Sequence, residues 1–313
     1  MSNTILLWGV SGDPPLMALL AELEARAVPH HFLDQRRMHQ AQFDFAADGV
    51  TGTLSMAERD IELAAIGALY ARPNDLRAVM RRSSELAADL DTQHSALATE
   101  RQLYGWAEMT PARVVNRPSA ASANDSKPYQ LEQIHAAGFT VPPTLVTTSP
   151  QAAREFVAQH GQVVCKSAGR TRSIVSRLES ADLERLDAIT HCPTLLQAYI
   201  AGRDWRVHCI GAAIHACEIH CAGDDYRVAA EQGMALEIVP AELPEPIAAR
   251  CRLLTRRLRL ELAGIDLRRS GDTWYCFEVN PSPLFTYFEA ASGQPLTAAV
   301  AELLSDATRR RPN

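Results

Sequence analysis

Three observations predict an α/β protein that turns α+β toward its C-terminus. An apolar run, a helical stretch and a second apolar run open the chain, helix-period segments then alternate with short apolar runs, and two hairpin patterns lie near the end. The first strand is "NTILLWGV". It stops at "SGDPP", and "PLMALLAELEARAVPHHFLD" follows with Leu16, Leu20, Leu23 and Ala27 on one helical face. A strand is expected at "HHFLD", so the chain begins as an open parallel sheet begins. "AAIGALYARP" supplies a further strand running into Pro73, and about residues 75 to 109 read as mostly helical because they carry few breakers.

"NRPSAASANDSKPYQ" is rich in Ser, Ala, Asn and Pro, which places a boundary near residue 112 and makes residues 1–112 one small α/β unit. After it come helix "YQLEQIHAAG", loop "FTVPPTLVTTSP", helix "QAAREFVAQHG", strand "QVVCKSA", a helix near "ADLERLDAI" and strand "TLLQAYI". "DWRVHCIG" and "AAIHACEIHCA" form a hairpin about Gly211. Helix "PIAARCRLLTRRLRLEL", hairpin "AGIDLRRSGDTWYCFEVN" and a helix from about Pro295 complete the chain.

A net charge of −6 argues against a general binder of nucleic acid or membrane surfaces, which would carry excess Lys and Arg. The N-terminal apolar run is far too short to span a bilayer, and no basic lead surrounds it, so a cytoplasmic location is expected. Seven scattered cysteines without a C-x-x-C pair read as reduced thiols.

The polar residues of "CFEVNPSPL" need an explanation. If Gly271, Asp272 and Thr273 form a three-residue loop, Asp266 lies opposite Glu278, and Asn280 joins the same face. Directly opposed Cβ atoms stand roughly 4.5–5.5 Å apart. A two-residue loop without a bulge would turn Glu278 away instead. Two carboxylates about 4 Å apart repel by about 1 kcal/mol in water and about 4 kcal/mol near a protein surface, so a cation is expected between them. Oxygen-only donors suit Mg²⁺ or Mn²⁺ better than zinc, and Mg²⁺ completes its shell with water and phosphate. An ordinary charged surface hairpin is the competing reading.

Lys127 stands before a helix and Lys166 ends an apolar strand with no acid nearby, so a phosphate is one candidate partner and solvent the other. The order is lysine before a helix, lysine on a strand, Gln-x-Tyr-Ile, Asp204 and Arg206 in "GRDWRV", Arg227 in "DDYR", Asp266 in "AGIDL", then "EVNPSP". With this order the sequence resembles the ATP-grasp superfamily, in particular RimK-type ligases and the microviridin-type (graspetide) peptide-maturing ligases. The likeness runs over about residues 114–304, and residues 1–112, with "LYARP" near their end, are similar to a pre-ATP-grasp domain.

The resemblance implies an ATP-grasp domain over 113–313, with a small lobe to about 194 and a large lobe from about 195. It implies that Lys127 and Lys166 contact ATP phosphates, that Gln197, Ala198, Tyr199 and Ile200 line the adenine, and that Asp204 reaches the ribose. Asp266, Glu278 and Asn280 would hold two Mg²⁺ ions, with Mn²⁺ as the alternative, while Arg206 and Arg227 stabilise the transferred phosphoryl group or the carboxylate. The implied activity is carboxylate activation as an acyl phosphate, then capture by an amine or hydroxyl. The expected substrate is a peptide, a precursor with a leader, matured by graspetide-like macrocyclisation. Amino-acid addition or condensation and a catalytically degenerate ATP-binding module are the alternatives, and the sequence leaves homo-oligomerisation open.

Two departures from the family pattern bear on the nucleotide. "SAGRTRSIV" has a single Gly169 where a Gly-rich flap is usual, so Arg170, Thr171 and Arg172 would cover the phosphates by side chain. Ala198 stands where an acid often contacts the adenine amino group. A zinc site in "HCIGAAIHACEIHC" is disfavoured, because strand alternation puts His215 with Cys217 but His220 on the other face.

Overall fold

The computed structural model describes residues 3–56, 59–84, 86–87, 89–167, 176–221, 226 and 233–309. The N-terminal unit opens with β1 (Thr4–Gly9), α1 (Pro14–Ala25) and β2 (His30–Asp34). Asp13 caps α1 by accepting from the Leu16 N–H at 3.2 Å, and Pro14 fits the first helical position because its missing N–H is not needed there. Next come β3 (Gln42–Phe45), β4 (Gly52–Met56), β5 (Arg59–Glu62), β6 (Ile66–Arg72), α2 (Leu76–Met80), α3 (Leu90–Met109) and β7 (Arg113–Val115).

The four parallel strands are ordered β2-β1-β6-β7, and β3-β4-β5 make a separate antiparallel sheet that the sequence pattern does not predict. The expected single helical stretch is two helices, α2 and α3. Strand alternation sends Leu6 and Trp8 into one core with Phe43, Leu54, Ile61, Leu103 and Trp106. Ile5 and Leu7 point the other way. They join Leu16, Leu19 and Leu23 in a second core that also takes in Ile219, Phe288, Val300 and Leu304 from the far end of the chain. Burying each such side chain contributes about 1.5–3 kcal/mol.

The rest runs α4 (Pro118–Ala121), α5 (Lys127–Ala136), β8 (Thr144–Thr147), α6 (Pro150–His160), β9 (Val163–Ser167), β10 (Ser176–Arg177), α7 (Ser180–Glu184) and β11 (Thr194–Ala198). After these come β12 (Arg203–Ile210), β13 (Ala213–Cys221), β14 (Leu236–Ala241), α8 (Glu245–Arg257), β15 (Leu262–Ser270), β16 (Thr273–Asn280), α9 (Phe285–Ser292) and α10 (Leu296–Arg309). A four-stranded sheet is ordered β10-β9-β11-β8 and a five-stranded antiparallel sheet β14-β13-β12-β15-β16. The short connection from β11 to β12 joins these two sheets. One face of the five-stranded sheet packs Trp205, Val207, Ile265, Cys276 and Val279 against α8. No described helix is long and apolar enough to cross a membrane.

Candidate active site

The polar face of the five-stranded sheet is built by strand periodicity. Asp204, Arg206 and His208 alternate with buried Trp205 and Val207 on β12, and they lie opposite Arg268, Asp266 and Gly264 of β15. On the other side of β15, Asp266 pairs with Glu278 and Gly264 with Asn280. The pairing of the two acids is the expected one, but the turn is not. Ser270 pairs with Thr273 across a two-residue Gly271–Asp272 loop, and Gly271 has φ 58°, a conformation that glycine adopts without penalty. That loop alone would set Asp266 against Phe277. A bulge restores the face: Leu267 pairs with Cys276 and Asp266 with Glu278, leaving Phe277 as the extra residue.

Asp266 of β15 and Glu278 and Asn280 near the end of β16 therefore stand on one face of the sheet. The Asp266 and Glu278 side chains are each 31% exposed, so an ion can reach them from solvent. Two carboxylates and one amide oxygen fit a hard divalent cation that keeps water or phosphate oxygens in its remaining positions. Among the described residues no group of three or more His, Cys, Asp or Glu forms a metal cluster.

Two cations lie against these acids. Lys127, at the start of α5, donates from Nζ to Glu278 Oε1 at 2.5 Å. Arg206 donates from Nη1 to Asp266 Oδ1 at 2.6 Å, and its Cζ lies 5.3 Å from the Phe288 ring centroid. Burial opposes the Arg206 charge, but Asp266, Tyr226 and Glu278 outweigh it and raise the pKa above the ordinary arginine value. Room for the guanidinium comes from Gly264. A Cβ there would stand 2.1 Å from Arg206 Nη2 and 2.5 Å from Cζ. Two residues along β12, His208 is wholly buried, and burial first, then Arg206 and His215, push its pKa well below 6.5.

β16 is an edge strand, and side chains and one backbone carbonyl partner groups along its outer side. Gln130 of α5 donates to Val279 O at 2.8 Å and accepts from Val279 N at 3.0 Å. Asn116 donates to Pro281 O at 2.7 Å, and Thr140 O accepts from Cys276 N at 3.0 Å. The helix that carries Lys127 thus also fixes the strand that carries Glu278. The sequence does not single out Gln130: it shows a Gln three residues after Lys127 on one helical face, and the burial that marks it is visible only in the fold.

At the other end of the face, Arg268 donates from Nε and Nη2 to the two Asp204 oxygens at 2.6 and 2.8 Å, and from Nη1 to Ile200 O at 2.8 Å. Such a bidentate pair orients Asp204 and leaves further lone pairs on its oxygens. Arg177 Cζ lies 4.3 Å from the Tyr199 ring centroid. Gln197 is buried and donates to Thr144 Oγ1 at 3.0 Å, Ala198 N donates to Pro143 O at 2.9 Å, and Tyr199 N to Gln162 O at 2.9 Å. Lys166 lies on β9 opposite Leu195 of β11. Its side chain, Arg227 and the segment with Arg170, Thr171 and Arg172 lie outside the described residues.

A family model, the RimK-like ATP-grasp domain, matches residues 125–304. No curated protein matches the sequence. Among solved structures, the chain is similar to the ATP-grasp ligase PsnB complexed with a minimal precursor, at 23% identity and TM-score 0.80, covering 98% of this chain and 100% of that one. It is also similar to the Chryseobacterium gregarium RiPP-associated ATP-grasp ligase in complex with ADP and a leader and core peptide, at 21% identity and TM-score 0.80, covering 99% and 98%. The macrocyclase MdnC of Microcystis aeruginosa MRC, bound with precursor peptide MdnA, matches at 20% identity and TM-score 0.79, covering 96% and 99%.

Proposed function

The chain belongs to the RimK-like ATP-grasp family, and from that premise we propose that it is an ADP-forming ligase that matures a ribosomally made precursor peptide, joining a carboxylate to an amine or hydroxyl. The observation that carries this reading is the placing of Asp266, Glu278 and Asn280 on one face with Arg206 and Lys127 against the two acids. The peptide substrate is supported by PsnB and the C. gregarium ligase, whose structures contain precursor or leader and core peptides. D-alanyl-alanine synthetase A of Vibrio cholerae matches at TM-score 0.63 and 14% identity, so condensation of free amino acids is the weaker second reading.

In this reading Lys127 and Lys166 hold ATP phosphates, Gln197, Ala198, Tyr199 and Ile200 line the base, and Asp204 reaches the ribose. Asp266, Glu278 and Asn280 would hold two Mg²⁺ ions, or Mn²⁺ in their place, and a bound ion would neutralise phosphate charge. A substrate carboxylate oxygen attacks the γ-phosphorus, the bond to the ADP oxygen breaks, and an acyl phosphate forms. An amine or hydroxyl then attacks the acyl carbon, gives up its proton, and phosphate leaves. Arg206 supplies a buried, fixed positive charge at the oxyanions of both steps, with Arg227 as its second. The reaction belongs in the cytoplasm, where ATP is held.

Incubation with ATP, Mg²⁺, free amino acids and short acidic peptides encoded beside the gene tests this. The expected result is ADP release together with loss of one water from the peptide by mass spectrometry. Gain of an amino-acid mass instead supports residue addition, and ADP at background with every peptide removes the ligase reading.

A further inference from the structure

The side chain of Arg72 ties the segment that follows β16 to the N-terminal unit. Arg72 ends β6, at the carboxyl edge of the parallel sheet, and its side chain is only 12% exposed. Its Nε donates to Asp13 Oδ2 at 2.6 Å, the same oxygen that caps α1. From the opposite end of the chain, Ser282 Oγ accepts from Arg72 Nη1 at 2.8 Å and Pro283 O accepts from it at 3.0 Å. Ser282 N in turn donates to Asn280 Oδ1 at 2.8 Å, which fixes the rotation of that amide. Among the described residues the amide oxygen accepts this bond, and a carbonyl-type oxygen has a second lone pair that an ion can take.

We propose that Arg72 is a positioning residue for the metal site: through Ser282 it sets the direction of Asn280 Oδ1, so that the N-terminal unit takes part in binding the divalent ion. The guanidinium suits this because its donors are rigidly disposed, so a strand end and a loop 210 residues away are held at once. Asp13 completes the device by orienting Arg72 itself. Partners that orient a metal ligand typically contribute about 10–100-fold to metal affinity. This inference rests on the ligase reading above, because it presumes that Asn280 is a ligand.

The test is Mn²⁺ binding to the full chain in the presence of ADP, followed by the loss of the free-ion electron paramagnetic resonance signal, beside thermal melting. Wild type is compared with Arg72→Ala, Ser282→Ala, Asn280→Ala and Arg36→Ala, the last removing a cation paired with Asp34 at the same sheet edge. Arg72→Ala is expected to weaken Mn²⁺ by about 10–100-fold, and Ser282→Ala, which keeps the Pro283 contact, by about three- to tenfold. Arg36→Ala should bind as wild type does. These losses should appear well below each variant's melting temperature, where a purely structural role moves nothing. If wild type itself fails to bind Mn²⁺ with ADP, the ligase reading fails. If wild type and Asn280→Ala differ but Arg72→Ala binds like wild type, the positioning role is overturned. Should Arg72→Ala not fold, Ser282→Ala decides alone, and unchanged affinity there overturns the proposal.

Discussion

Replacing Gly264 by alanine places a methyl group on the polar face under Arg206. The added Cβ would lie 2.1 Å from Nη2, and ordinary contact begins at 3.4 Å, so the guanidinium must withdraw by about 3.4 − 2.1 = 1.3 Å. Its own strand and the Phe288 ring limit that withdrawal, and the 2.6 Å bond to Asp266 is lost if it moves along the face. Overpacking of this kind costs about 1–3 kcal/mol. A displacement of about 1 Å near reacting atoms costs about 100-fold in rate. Gly264→Ala is therefore expected to lower urea-unfolding stability by about 1–3 kcal/mol and ATP-dependent turnover by about 100-fold. The decisive control is Gly264→Ala made in an Arg206→Ala background, where the clash partner is gone and the glycine change should be nearly neutral for stability. If the two substitutions simply add, or if Gly264→Ala alone keeps full activity, the account of how Arg206 is seated is wrong.

Other changes probe the same architecture. Gln130→Ala leaves both backbone groups of Val279 without their side-chain partner and should cost about 2–4 kcal/mol in urea unfolding; a cost within experimental error of zero would show that water replaces the amide. Glu278→Gln keeps the shape but halves the carboxylate charge of the donor set, so Mn²⁺ affinity should fall at least about tenfold, and an unchanged titration would remove Glu278 from the site. His208 binds its proton more weakly folded than unfolded, so below pH 6.5 the unfolded chain takes up more protons and stability declines with falling pH, by about 1.4 kcal/mol per unit for this group until its own folded pKa is reached. His208→Phe should flatten that slope, and identical slopes for variant and wild type between pH 6.5 and 5 would contradict the burial argument.

The hairpin of β15 and β16 shows how far the residues alone lead. The facing of Asp266 and Glu278 is legible because two acids and an amide interrupt an apolar alternation, whereas the bulge at Phe277 leaves no local mark: a two-residue loop with a bulge and a three-residue loop without one pair the same acids. Lys127 is legible from its place before a helix, but its 2.5 Å contact with Glu278 joins residues 151 apart. Partnerships between residues far apart in the chain are the blind spot. Asp204 reads as a lone acid in "GRDWRV", and only the register of β12 with β15 reveals Arg268 beside it. The sheet of β3, β4 and β5 escaped for another reason: "QFDF", "GTLSM" and "RDIE" are four or five residues long with one or two apolar positions each, too short to show a period.

The second core, in which Ile5, Leu7 and Leu16 meet Val300 and Leu304, has a bearing on how such chains can be recombined. A hybrid that exchanges only the first hundred or so residues between two homologues would graft a foreign surface onto α10 and inherit mismatched packing at that seam. The exchangeable module is discontinuous: the opening segment must travel with the terminal helix that seals it.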